Sequence, residues 1–207
     1  MKKLSTTLIV LGLISAFSGI AIFIFTFYPV ISEEIKYQFH QLRSRTALTN
    51  QTNSDDSQLK DIQPVDTQFG IVIPKIRASS KIVANVDPFQ EEIYQRALTQ
   101  GVAHAKNTVF PGQTGNIFLF SHSSVNFYEA NRYNSVFYLI NKMETGDEID
   151  LYYQDEKFTY QVDNKKIVSP ENISYLTSPS SKKVLTLMTC WPPGTTLKRL
   201  VVTATAI

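Results

Sequence analysis

Disulfides, a cysteine-built metal site and a dominant charge of either sign are all missing from this chain. Its 207 residues hold one cysteine, Cys190. A lone thiol makes no intrachain disulfide and anchors no cysteine-rich metal site. Lysine and arginine number 20 against 18 acidic residues, for a formal net charge of +2. That near-balance argues against a nucleic-acid binder, which would show a basic stripe. No internal repeat is apparent. Histidine is scarce, with only His40, His104 and His122. The hydrophobic content is ordinary for a globular protein. The length allows one domain plus an appendage.

The appendage is at the N-terminus, where charge disappears altogether. From Leu4 to Tyr28 run about 25 uncharged residues. Such a run can span a hydrocarbon core of ~30 Å as a helix. A cleaved signal peptide would have a shorter apolar region and a small-residue cleavage site, whereas Ile20 to Tyr28 is bulky and aromatic. Residues 1–29 are therefore expected to form an uncleaved transmembrane anchor. Lys2 and Lys3 hold its start in the cytoplasm. Glu33 and Glu34 follow on the far side, diluted by Lys36, Arg43 and Arg45. The rest of the chain is then expected to be extracytoplasmic on a single-pass membrane protein. Residues 30–67 form a second section. Ile31, Ile35, Phe39 and Leu42 recur at helical spacing within Val30 to Leu48, which predicts a juxtamembrane helix. Thr49 to Asp66 is polar and poor in apolar residues, the composition of a flexible stalk.

Residues 68–207 read as the globular domain. Ile71 to Ile76 and Lys81 to Val86 are predicted strands. Pro88 to Gln100 is a predicted helix, with Asp87 as N-cap, Pro88 in the first turn and Gly101 at the end. Asn116 to Phe120 reads as a buried strand, and Asn134 to Lys142 as a short helix or turn. Glu148 to Tyr153 and Lys157 to Val168 make a hairpin tipped by Gln154-Asp155-Glu156. Val184 to Thr189 and Leu197 to Ala204 are the last strands. About eight short strands and few helices indicate a mostly β fold. Composition alone leaves barrel and sandwich open.

Cys190 ends the apolar, β-prone run Val184 to Thr189. Trp191-Pro192-Pro193-Gly194 follows as a loop, since neither proline can donate to a ladder. Leu197 to Thr203 then returns as a strand carrying Arg199. A thiol at a strand end, with a guanidinium able to return beside it, suggests nucleophilic catalysis. The thiolate is the reactive form, and a neighbouring cation favours it. The plainer alternative is a buried, inert cysteine.

Thr186-Leu187-Met188-Thr189-Cys190 resembles the Thr-Leu-any-Thr-Cys signature of sortases, the cysteine transpeptidases of bacterial cell surfaces. Asn116-Ile117-Phe118-Leu119-Phe120-Ser121-His122-Ser123 is similar to the strand that carries their catalytic histidine. Arg199 matches their catalytic arginine. Gly70-Ile71-Val72-Ile73-Pro74-Lys75-Ile76 is similar to their first barrel strand. Gly101-Val102-Ala103-His104 and Pro111-Gly112-Gln113-Thr114-Gly115-Asn116 look like the segments that lead into the histidine strand. The resemblance covers residues 69 to 207, in the family's order.

It implies an eight-stranded sortase-like β-barrel with short helices. It also implies the catalytic set His122, Cys190 and Arg199. Cys190 would attack a Leu-Pro-any-Thr-Gly-like sorting signal and form a thioester. An amine would then accept the acyl group. The partners implied are secreted proteins with a C-terminal sorting signal, and an amine acceptor such as a cell-wall precursor or another surface protein. No cofactor and no metal are expected, because paired acidic residues typical of a calcium site are not evident before the Cys190 strand. Thr189 could lend a hydroxyl or backbone donor near the oxyanion, or be simply a β-prone residue. Lys198 and Arg199 are neighbours on a strand, so only one can face the site; the family pattern selects Arg199. His104 falls where the family often carries a non-catalytic histidine.

Two departures bear on the class. Asp87-Pro88-Phe89 is similar to the aspartate-proline-aromatic lid of pilin-polymerising sortases, but it lies after the first barrel strand rather than before it. It is read here as a helix cap. No second apolar span precedes Ile207. Both points argue against the pilus-building class. The enzymatic rival is an L,D-transpeptidase-like cell-wall enzyme. Its arginine usually stands two residues after the cysteine, where this chain has Pro192. A non-catalytic envelope scaffold module is the rival of another kind, and a buried, unreactive Cys190 would distinguish it.

Overall fold

The computed structural model describes residues 10–22, 35, 38, 62–123, 136–177 and 179–207. The chain divides into two compact units, Met1–Asn50 and Gln51–Ile207. In the first, residues 10–22 are helical. Leu11, Ile14, Phe17 and Ile22 on that helix are all exposed. Among the described residues no helix is long and apolar enough to cross a membrane. Both ends of the expected span, nearly all of the expected juxtamembrane helix and residues 49–61 of the expected stalk lie outside the described residues.

The second unit is a closed eight-stranded barrel, in the order β1-β2-β3-β4-β7-β8-β6-β5. Its strands are β1 (Phe69–Ile73), β2 (Ala78–Val86), β3 (Val102–Ala105), β4 (Gly115–Phe120), β5 (Glu148–Tyr153), β6 (Glu156–Val168), β7 (Lys183–Trp191) and β8 (Lys198–Ala206). Barrel and sandwich are equivalent in composition, and pairing decides between them. β1 pairs antiparallel with both β2 and β5, which closes the sheet and removes its edges. The β2–β3 and β4–β7 pairs are parallel; the others are antiparallel.

Side chains alternate across each strand, and here both faces of β4 and β7 are covered. Ile117, Leu119, Leu185 and Leu187 are at most 1 % exposed, and with Tyr160, Val162, Val202 and Ala204 they fill the barrel interior. The opposite face carries Phe118, Phe120 and Met188. They pack with Val83 and Val86 of β2, Ala103 and Ala105 of β3, and two short helices. Those helices are α1 (Glu91–Leu98) and α2 (Ser174–Thr177). In α1, Tyr94, Ala97 and Leu98 face this second apolar cluster, the i, i+3, i+4 stripe of an amphipathic helix.

Several boundaries differ from the sequence expectation. β1 stops at Ile73, because Pro74 opens a 3-10 turn (Pro74–Ile76) that ends on Arg77 with φ 51°. Lys75 in that turn bridges Glu144 at 2.8 Å and Asp147 at 2.9 Å, tying it to the segment before β5. α1 begins at Glu91, later than expected, with Gln90 as N-cap. Asp87 instead closes a turn ahead of the helix. Its carboxylate accepts from the Phe89 N–H at 3.0 Å and from Gln90 Nε2 at 3.2 Å. β3 was not expected as a strand; at four residues it is too short for an alternation signal. Gly101 just before it is required sterically, since a Cβ there would lie 2.3 Å from the Lys81 carbonyl oxygen. The β5–β6 hairpin turns on two residues rather than three. Gln154 and Asp155 have φ of 53° and 66°, the left-handed pair of a type I′ turn.

Candidate active site

Register brings the site together. β7 pairs with β8 so that Cys190 lies directly across from Arg199, and Trp191 across from Lys198. Directly opposed residues project from the same face of a sheet. Arg199 therefore shares the face of Cys190, and Lys198 takes the other. On the far side of β7, the parallel β4 pairs Phe118 with Thr186 and Phe120 with Met188. The ladder runs one residue past β4, for the Ser121 N–H donates to the Met188 carbonyl at 3.2 Å. His122 is the next residue, one step past the last bonded position of that ladder. Thiol and guanidinium thus form one row across β7 and β8, strands about 4.8 Å apart along the hydrogen-bond direction, and His122 follows just past the end of the neighbouring β4. The row caps the second apolar cluster, on the outside of the barrel and not in its interior.

Each member is held by its element. Cys190 is half-buried and reduced. His122 is half-buried, just past the end of β4. Two bonds to β7 fix the residue before it. Besides the Ser121 N–H bond, the buried Thr189 hydroxyl donates to the Ser121 carbonyl at 2.8 Å. Thr189 is 3 % exposed and projects from the face opposite Cys190. Its hydroxyl therefore serves the turn that carries His122. Arg199 is half-buried. Its Nη1 donates to the carbonyls of Thr196 and Lys198, both at 3.1 Å, so the guanidinium is steadied by its own loop. That loop closes through the Thr195 N–H to the Pro192 carbonyl at 3.0 Å.

His104 is placed elsewhere. It is fully buried on β3, on the face opposite Ala103 and Ala105. Its Nε2 lies 2.9 Å from the Thr108 hydroxyl and 3.1 Å from the Val109 carbonyl, and its Nδ1 accepts from the Asn85 N–H at 3.4 Å. The rings of Phe69 and Phe110 pack on it at 5.5 and 4.7 Å. Burial pushes its pKa below the usual 6.5, partly opposed by the Val109 carbonyl. It is a neutral structural histidine. Among the described residues no three His, Cys, Asp or Glu side chains group to hold a metal ion.

Tyr94 escaped the sequence reading. Its ring meets Phe120 edge-on at 6.3 Å and joins Met188 in the outer cluster, on the face that carries Cys190. Burial raises its phenol pKa, Glu91 and Cys190 push the same way, and Arg199 opposes them. The helix was legible from Pro88 and Gly101, but which strands its apolar side would cover was not. Asn116 on β4 also proves to be a hub, bonded through its side chain to Tyr175 and Thr186.

Residues 71–207 match the sortase domain family. The chain belongs to the sortase family. Its sequence is 32 % identical over 120 residues to Sortase D of Bacillus subtilis (strain 168), across 58 % of this chain and 52 % of that protein; the matched stretch is thus about half the relative's length. The barrel is similar to that of a lid mutant of Sortase A from Corynebacterium diphtheriae, with a TM-score of 0.57 and 28 % identity over 69 % of this chain and 70 % of the other. It is also similar to a Clostridium perfringens Sortase D5 transpeptidase, with a TM-score of 0.55 and 25 % identity over 75 % of this chain and 90 % of the other. The sortase domain covers all eight strands except the first two residues of β1. Both sides of the Cys190 row therefore belong to the shared fold.

Proposed function

We propose that this sortase is a membrane-anchored cysteine transpeptidase of a bacterial envelope. The carrying observation is the direct pairing of Cys190 with Arg199 across β7 and β8, with the β4 register leading to His122 on the other side. Cys190 Sγ, as thiolate, attacks the carbonyl carbon of the Thr–Gly bond in a Leu-Pro-any-Thr-Gly-like signal. The carbonyl oxygen takes up negative charge in the tetrahedral intermediate. Arg199 offers a planar, permanently charged fork to that oxygen or to neighbouring substrate carbonyls. As the C–N bond breaks, His122 gives a proton to the departing amine. The acyl group is left as a thioester on Cys190. An acceptor amine then attacks the thioester, His122 takes its proton, and the thiolate leaves as the new amide forms. Thr189 acts through Ser121, by holding the His122 turn.

The substrates on this reading are secreted proteins with a C-terminal sorting signal. The acceptor is an amine on a cell-wall precursor or another surface protein. The uncharged run Leu4 to Tyr28 anchors the chain, with the N-terminus cytoplasmic and the catalytic domain outside. The exposed apolar residues of the 10–22 helix support an apolar surrounding for that segment. The decisive test is Cys190→Ala. The full chain in detergent is incubated with a library of sorting-signal peptides and a mixture of amines, and products are read by mass. The wild type is expected to form acyl–amine adducts and a thioester on Cys190. The variant should form neither while keeping its fold. Adducts from the variant, or none from the wild type with any peptide, would overturn the assignment.

A further inference from the structure

The β6–β7 connection holds α2, a single helical turn. Four residues cannot hold a helix in water unaided, because nucleation is unfavourable. Some of its order is internal. The Asn172 side chain accepts from the Ser174 N–H at 3.1 Å and from the Ser174 hydroxyl at 2.6 Å. The Leu176 and Thr177 N–H groups donate to the Ile173 carbonyl at 3.0 and 3.2 Å. None of these bonds fixes α2 to the barrel. Tyr175 and Leu176 pack on the outer apolar cluster, but apolar contact is non-directional. Among the described residues, the directional attachment is Asn116. Its Nδ2 donates to the Tyr175 carbonyl at 2.8 Å. Its Oδ1 accepts from the Thr186 hydroxyl at 2.8 Å. A primary amide has a donor end and an acceptor end. The Tyr175 carbonyl can only accept, so it takes the donor end, and the Thr186 hydroxyl braces the acceptor end.

The position along the strands gives this bridge its consequence. Asn116 and Thr186 lie on the same outer face as Cys190. Thr186 is four residues before the nucleophile, about 13 Å along an extended strand. That distance is the reach of about four extended peptide residues. A segment fixed there flanks the face along which an extended acyl donor would approach the thiol. We propose that Asn116, braced by Thr186, is a positioning residue that locks α2 at Tyr175 and thereby presets the acyl-donor pocket. The inference rests on the transpeptidase reading of the same face. It assigns Asn116 no chemistry of its own.

Asn116→Asp is the sharpest probe. It keeps the shape and the acceptor for Thr186, and replaces the donor to Tyr175 with an oxygen. Asn116→Ala removes both bonds, Thr186→Val removes the brace, and Thr186→Ser keeps the bracing hydroxyl. Two measurements on the full chain in detergent separate the outcomes. Hydrogen exchange at the Leu176 and Thr177 amides reads the lock without requiring activity. Steady-state transfer of a sorting-signal peptide to an amine reads the pocket. The expected result is faster exchange at both amides in Asn116→Asp and Asn116→Ala. KM for the donor should rise about fivefold, the scale of one net hydrogen bond, with kcat within about twofold. Thr186→Ser should match wild type and Thr186→Val should fall between. Unchanged exchange in Asn116→Asp would refute the lock. Faster exchange with unchanged KM, or a loss confined to kcat, would refute the pocket role. If the wild type transfers nothing, the transpeptidase reading and the pocket role fail together, while exchange still decides the lock.

Discussion

The proposed catalytic residues ask different things of their neighbours at the scale of single residues. Arg199 and Lys198 are adjacent, both cationic, and on opposite faces of β8. Arg199→Lys keeps the charge but loses the fork, and an ammonium does not reproduce bidentate geometry. We expect Arg199→Lys to lower kcat/KM by about 10²-fold, the scale of removing one oxyanion donor, and Lys198→Ala to leave it within about twofold. Near-equal values for the two variants would sink the assignment of faces. The two barrel-domain histidines divide in the same way. His122→Ala should cost acyl transfer a factor of about 10² or more, as expected of a general acid–base group. His104→Gln should act on stability instead. Burial lowers the folded-state pKa of His104 from 6.5, so the unfolded chain binds its proton more readily. That stability contribution is complete above the unfolded value and is lost as pH falls through it toward the folded one. Denaturant midpoints measured from pH 7.5 down to 5 should drop for the wild type and drop less for His104→Gln. Parallel curves would show that another group governs the acid limb.

At the scale of elements, the end of β4 is coupled to β7 by more than its ladder. The Thr189 hydroxyl and the Ser121 carbonyl meet at 2.8 Å in a buried setting. Thr189→Val keeps shape and β propensity and removes only that bond. It should lower stability by about 1–2 kcal/mol, the usual effect of leaving one buried polar partner unmade. It should also reduce kcat more than it raises KM, since the turn carrying His122 loosens while α2 keeps its attachments. An effect on KM alone would move Thr189 from the histidine turn to the substrate. The short elements explain where sequence reading stopped. β3 and α2 have four residues each, fewer than either periodicity needs to declare itself. α1 was legible through Pro88 at its start and Gly101 at its end, although the Asp87 carboxylate capped a turn instead of the helix.

At the scale of the whole molecule, the expected topology is open to a direct test. Protease added to intact protoplasts should release the barrel by cutting within the stalk, Thr49 to Asp66, and leave the N-terminal segment in the membrane. Protection until lysis would reverse the orientation. The sequence by itself determined the parts of the domain: the lone thiol, the strand that ends on it, the arginine on the returning strand, and the histidine after an apolar run. Those are local matters of composition and period-2 pattern, which short-range physics writes into the chain. It also identified the family, because the motifs keep their order. Tertiary structure decided the rest. Closure into a barrel depends on β1 meeting β5 as well as β2, a pairing of distant segments that no local pattern encodes. The setting of Cys190 depends on two independent registers, one parallel with β4, which leads toward His122, and one antiparallel with β8, which brings Arg199. A slip of one residue in either would turn a partner to the other face. Asn116 and Tyr94 became visible only there, since their significance lies in which remote backbone or ring the fold brings to them.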